Sequence, residues 1–153
     1  MKFGPCLKLS DLSANLVGPG SWDPDTGIYT CTFGANGTCA GGVGDSEFIS
    51  TLTLTVSGCG RLRVTGVATG YTFAYGSATL VAYASAQAEP VISLTSPGGG
   101  DESATCLTAP MIGTADGTAP FACGDALVIT FDRSATTNLG EITATVTVEV
   151  DTP

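Results

Sequence analysis

Six cysteines, at positions 6, 31, 39, 59, 106 and 123, are the residues of this sequence with the most chemistry open to them. No two form a C-x-x-C, and the chain has no histidine, so a zinc site would need four thiolates at spacings these do not resemble. A mixture of buried free thiols and structural disulfides is the ordinary alternative. The pairs expected are Cys31 with Cys39, whose strand ends the turn Gly34-Ala35-Asn36-Gly37 would bring together, and Cys106 with Cys123 across a second Gly/Pro-rich loop. Such bridges would point to a protein that works outside a reducing cytosol.

The acidic residues come next. Asp23-Pro24-Asp25-Thr26-Gly27 has the alternating acids of a calcium loop but lacks a third acidic position and a bidentate glutamate. It reads more simply as a turn, with aspartate accepting local backbone hydrogen bonds and glycine at positive φ. Asp101, Glu102 and Asp116 are expected as solvated loop charges. A carboxylate pair could hydrolyse a glycoside without histidine, but nothing singles out two of the fourteen acids. Ser-His-Asp and Cys-His catalysis are excluded outright. The expectation is a protein that is not an enzyme, with no cofactor and no metal.

Aromatic rings can stack on sugars. Tyr71, Phe73 and Tyr75 share one face of an expected strand, where some must be core, and Tyr29 and Tyr83 stand in strand-like runs. Trp22, beside the polar turn, is the one plausible exposed platform for a glycan, against a plain reading as a core or interface residue. Asn36-Gly37-Thr38 matches a glycosylation acceptor, which matters only in a secreted eukaryotic chain.

The elements that must position these residues follow from composition and periodicity. The chain has 153 residues and a net charge of −9, with only five Lys and Arg, which argues against a nucleic-acid partner. Residues 64–88 carry no charge, yet their glycines, hydroxyls and period-two alternation argue against a membrane span. Residues 1–6 lack the apolar stretch of an export signal. From Trp22 onward alternation dominates. Leu52, Leu54 and Val56, then Leu62 and Val64, predict a hairpin over 48–67 around Ser57-Gly58-Cys59-Gly60. Further strands are expected over 80–86, 91–95 and at Leu127, Ile129 and Phe131. The clearest has Ile142, Ala144, Val146, Val148 and Val150 inward and Thr143, Thr145, Thr147 and Glu149 outward. Outward strand positions account for the 23 threonines. Long loops are expected at 34–47, 96–104 and 110–125. The fold class expected is all-β, an antiparallel β-sandwich or jelly roll.

Residues 1–21 look different, and the domain division expected is an N-terminal arm, 1–21, followed by a β-sandwich domain, 22–153. The arm carries Phe3, Leu7, Leu9, Leu12 and Leu16. Two readings stand side by side: a segment packed on its own domain, or one that buries these residues on a neighbouring subunit.

The order Cys123-Gly124-Asp125, the apolar run to Phe131-Asp132, the turn from Ser134 to Thr137, Gly140 and the final strand resembles the closing hairpin of jelly-roll modules in tailed-phage virions. Those modules occur in capsid decoration (cement) proteins and in tail-fibre or carbohydrate-binding tips. The turn departs from many of them, holding Arg133 alone where they have a further aromatic or basic residue. The resemblance implies a virion structural protein on the capsid surface, a homotrimer that binds the major capsid protein and itself and braces the shell. The arm residues would be its contacts, with no nucleic acid and no membrane involved. The alternative is a carbohydrate-binding or adhesion module, extracellular or at a fibre tip, with Trp22 at its site.

Overall fold

The protein is described from a computed structural model, which defines residues 7–33, 47–70, 77–85, 87–95, 113–134 and 142–151. Among the described residues, ten strands form two five-stranded antiparallel sheets packed face to face. The first sheet has the order β1 (Leu12–Val17), β4 (Glu47–Val56), β9 (Ala126–Ser134), β6 (Ser77–Ala84) and β7 (Ile92–Thr95). The second has β2 (Ser21–Asp23), β3 (Ile28–Phe33), β10 (Ile142–Asp151), β5 (Gly60–Gly70) and β8 (Gly113–Phe121). Strands β3 to β10 thus form two four-stranded rows, 4-9-6-7 and 3-10-5-8, in which the chain alternates between sheets, except at the β6–β7 hairpin, as in a jelly roll. Strands β1 and β2 widen each row at the same end. No described helix is long and apolar enough to cross a membrane.

The alternation read from the sequence is the alternation of the fold. Leu127, Ile129 and Phe131 on β9, Ala144, Val146 and Val148 on β10, and Leu52, Leu54 and Val56 on β4 are all fully buried. They meet Leu62 and Val64 of β5, Leu80 of β6 and Tyr29 of β3 in one continuous core. The threonines between them face outward, where a β-branched side chain with a hydroxyl suits a pleated, wetted surface.

Pairing differs from the local reading in three places. Strands β4 and β5 do not form the expected hairpin: β4 pairs with β1 and β9, whereas β5 pairs with β10 and β8, and residues 57–59 carry the chain across the sandwich. The proposed closing hairpin separates in the same way, β9 into the first sheet and β10 into the second. Both strands of each pair bury one face, and that pattern serves a hairpin or a crossing equally well. The third difference is β8, which falls within the loop expected at 110–125. Its inward positions, Ala115, Gly117 and Ala119, are too small to register as an apolar stripe. They are small because the chain after β6 packs closely there: a Cβ on Gly117 would lie 2.0 Å from the carbonyl oxygen of Val91.

The arm reading is corrected for the described residues. Leu12 begins the edge strand β1 and is buried opposite Val56, and Leu7 is buried against Gly60. Leu9 and Leu16 pack partly against the same core. A short 3-10 turn, Leu9–Asp11, holds this entry in place, the backbone N–H of Lys8 donating to the Asp11 carboxylate (2.9 Å) and that of Ser57 to the Asp11 carbonyl (3.0 Å). Leu7 and Leu12 lose their water within their own domain, so these two are not free to serve a neighbour. Phe3 lies outside the described residues.

Candidate functional site

The two outer faces of the sandwich differ sharply in charge. On the second sheet, Asp23, Arg61, Arg63, Asp116, Glu149 and Asp151 all point outward, as their registers require. Arg63 holds Asp116 through two hydrogen bonds, one of 3.1 Å from Nε, and this pairing keeps the Asp116 carboxyl below the usual carboxylate range. Arg61 reaches Thr118 at 3.1 Å and Asp151 at 3.7 Å. These are exposed, mutually compensated pairs of the kind that keep a sheet face wet.

The first sheet is the opposite. Its outer face presents Asn15 and Val17 on β1, Ile49, Thr51 and Thr53 on β4, Val128, Thr130 and Asp132 on β9, and Thr79, Val81 and Tyr83 on β6. Asp132 is the single charged residue among the described side chains of that face. Val17 (62% exposed), Ile49 (46%) and Tyr83 (43%) are the large apolar groups most open to solvent among the described residues, and all three are here.

Asp132 stands between Ile49 and Thr79 in register, and its Oδ1 is buried with no hydrogen-bond partner among the described residues. A buried carboxylate oxygen without a donor is costly and therefore rare. Tyr83, opposite Val128, is four residues along β6 from Thr79. At about 3.3 Å per residue the ring and the carboxylate stand ~13 Å apart along one seam. Between them the strands offer threonine hydroxyls and short aliphatic groups. Among the described side chains the arrangement offers an acceptor, hydroxyls and an aromatic face.

Trp22, the glycan platform expected from the sequence, is not exposed in that way. It pairs with Tyr29 and so faces inward at the margin of the second sheet, where it packs against the core with its indole N–H buried. The two positions that do line the open face were missed for different reasons. Tyr83 was one aromatic among several. Asp132 carried no motif. Parity would have placed both: inward Ala82 and Ala84 put Tyr83 outside, and inward Ile129 and Phe131 do the same for Asp132.

The expected disulfides are not seen. Cys31, Cys59 and Cys123 carry free thiols, so neither expected pairing is formed, and Cys6, Cys39 and Cys106 lie outside the described residues. Cys31 instead belongs to a buried polar knot. Its thiol donates to the carbonyl of Pro19 (3.4 Å), which also accepts from the Ser50 hydroxyl at 2.6 Å. Having spent its proton there, Ser50 must accept from the phenol of Tyr29. Tyr29 and Ser50 face each other from opposite sheets, so the knot ties the sandwich together where residues 18–20 pass from β1 to β2. Gly18 (φ +95) and Gly20 (φ +127) let the backbone come this close: a Cβ on Gly18 would lie 2.4 Å from the Ile49 carbonyl oxygen.

Burial raises the phenol of Tyr29 and the thiol of Cys31 above their ordinary values. With folded values raised, the stability they contribute is complete below their unfolded values and is lost as pH rises, because the denatured chain ionises first. Unfolding free energies from urea titrations are therefore expected to hold near pH 7 and to fall from about pH 8.5 upward, by at most ~1.4 kcal/mol per pH unit for each group. Tyr29→Phe should flatten the fall above about pH 10. A stability that is level to pH 11 would refute the buried, neutral state of both groups.

The turn at 23–27 is a turn. The Asp25 N–H donates to the Asp23 side chain at 2.9 Å, Gly27 has φ +71, and its carbonyl accepts from Val148 at 2.8 Å. No group of three potential metal ligands occurs among the described residues. Tyr71, Phe73, Tyr75, Asn36-Gly37-Thr38, Asp101 and Glu102 lie outside them.

No family model and no curated protein matches this sequence. Solved structures are similar to it at low identity and low TM-score. TmCBM61, determined in complex with beta-1,4-galactotriose, is 11% identical with a TM-score of 0.42, covering 90% of this chain and 88% of its own. The N-terminal cellulose-binding domain of Cellulomonas fimi beta-1,4-glucanase C is 11% identical with a TM-score of 0.38, covering 94% and 93%. The VP2 subviral particle protein of infectious bursal disease virus is 11% identical with a TM-score of 0.20, covering 92% of this chain and 42% of its own.

Proposed function

We propose that this chain is a non-catalytic carbohydrate-recognition module whose working surface is the outer face of the first sheet, along the seam of β9 and β6. The observation that carries this reading is the Asp132 carboxylate, with one oxygen buried and unpartnered among the described residues, on a face where no other described side chain is charged. A neutral polyhydroxylated ligand supplies the donors that oxygen lacks, and the threonine hydroxyls beside it give further partners. Tyr83 offers a ring for the C–H face of a sugar. A seam of ~13 Å suits an oligosaccharide better than a single ring.

Binding is expected on an array of neutral oligosaccharides, followed by titration calorimetry of the best ligand. Asp132→Ala and Tyr83→Ala should each weaken it by at least about tenfold, a loss of ~1.4 kcal/mol. Melting temperature should barely change, since neither side chain belongs to the core. Trp22→Ala should do the reverse, lowering stability and sparing affinity. Absence of any glycan binding at millimolar concentration, or variants that bind as well as the parent, would overturn the reading.

A second reading is favoured by Val17 and Ile49, exposed on the same face. A virion structural protein, such as a capsid decoration protein, would use that apolar margin to cover a neighbouring subunit or the major capsid protein. It would act on a particle surface, where the recognition module would act outside a cell. Co-sedimentation with purified particles, lost in Ile49→Lys, separates the two.

A further inference from the structure

Four strands form the margins of the two sheets, and three of them are ill suited to pairing with another chain. Strand β2 has three residues and β7 has four. Strand β8 is longer but contains Pro120, which lacks an N–H, and Asp116, a charge on its outer side. Strand β1 has none of these protections. It runs for six residues, Leu-Ser-Ala-Asn-Leu-Val, without a charge or a proline, and its register with β4 is continuous from Leu12 opposite Val56 to Val17 opposite Thr51, so no bulge turns the edge away.

The edge is open as well as unprotected. Ser13, Ala14 and Asn15 are all exposed. Ala14 is telling, because its register opposite the fully buried Leu54 points it inward, yet nothing covers it. Every described hydrogen bond to another element from residues 12–17 runs to β4 on the other side of the strand.

We propose that β1 pairs antiparallel with β1 of a second copy of this chain, joining two first sheets into one ten-stranded sheet across a twofold axis. The axis must stand normal to the sheet to keep both inner faces on one side, which centres the pairing on Ala14 or on Asn15. A second copy suits this edge for an electrostatic reason. A molecule with net charge −9 repels itself, and contact is tolerable only where neither copy presents like charges. The uncharged β1 edge and the nearly uncharged face beside it are such a place, whereas the acids on the second sheet are not. Exposed Val17, at the end of β1, would be covered from water in the paired state.

The test is sedimentation velocity on the full chain, from micromolar to about 1 mM, where even an association of about −4 kcal/mol populates the dimer. A monomer–dimer equilibrium is expected. Asn15→Lys should abolish it by placing two ammonium groups across the seam, with the circular dichroism spectrum and melting temperature retained. Thr114→Lys, exposed on β8, should leave it unchanged. A chain that stays monomeric throughout, a trimer, or a dimer indifferent to Asn15→Lys would each overturn the proposal. A second edge variant, Ala14→Lys, guards against a folding defect confined to the first.

Discussion

Phe131→Ala is expected to lower stability by about 3–5 kcal/mol, the range for a large aromatic removed from a packed core. Phe131 is fully buried on β9, the central strand of the first sheet, with Ser50 on one side and Leu80 on the other in register. Both neighbouring strands are paired on their far edges too, so the backbone cannot collapse into the space a missing ring would leave. For a chain of this size the loss corresponds to roughly 6–20 °C in melting temperature. Tyr83→Ala, on the outer face of the same sheet, should cost below about 1 kcal/mol. Chemical denaturation of the two variants compares them directly. Equal losses would mean that the first sheet is not oriented as described.

The second large effect is expected from glycine. Gly117→Ala places a methyl 2.0 Å from the Val91 carbonyl oxygen and 3.0 Å from its carbon, both backbone atoms. Either β8 or the chain leading into β7 must move, and a cost of about 2–3 kcal/mol follows, the upper part of the range for overpacking. Gly66→Ala makes an instructive comparison. There the new methyl would meet the tip of Ile92 at 2.6 Å and that of Leu80 at 3.1 Å, across the sandwich. Side-chain tips can be removed. Ile92→Val alone should cost about 0.5–1.5 kcal/mol, yet in the Gly66→Ala background it should restore stability. No such partner exists for Gly117, because a backbone carbonyl cannot be mutated away. A double mutant as unstable as the sum of its singles would show that Ile92 does not fill the space over Gly66.

Much of this was open to reading in the chain itself. The inward rows Leu127-Ile129-Phe131 and Ala144-Val146-Val148 were legible because a strand's side chains alternate by covalent geometry, whatever the strand pairs with. The turn at 23–27 was legible for the same local reason: an aspartate two residues ahead of a free N–H, and a glycine where φ must be positive. Leu7 and Leu12 were harder, because an apolar residue near a terminus is equally consistent with its own core and with another chain's surface. Strand β8 was invisible, since its inward residues are small wherever the facing chain comes close, and small residues leave no apolar signal.

The candidate site was the least legible part. Tyr83 and Asp132 are 49 positions apart, and nothing in their neighbours marks them as a pair. They share a face because β6 lies beside β9, which in turn lies beside β4, while β5 and β10 pass to the other sheet. The knot of Tyr29, Ser50, Pro19 and Cys31 depends on the same arrangement. Alternation, threonine on the wetted side and an acidic exterior are properties of single strands, and the sequence alone determined them. Which strands share a sheet, and therefore which outer face is charged and which is bare, only the tertiary structure decided. The physical reason is that many pairings satisfy one alternation pattern, and the close contacts that choose among them, such as Gly117 beneath Val91 and Gly66 beneath Ile92, exist only once the sheets have come together.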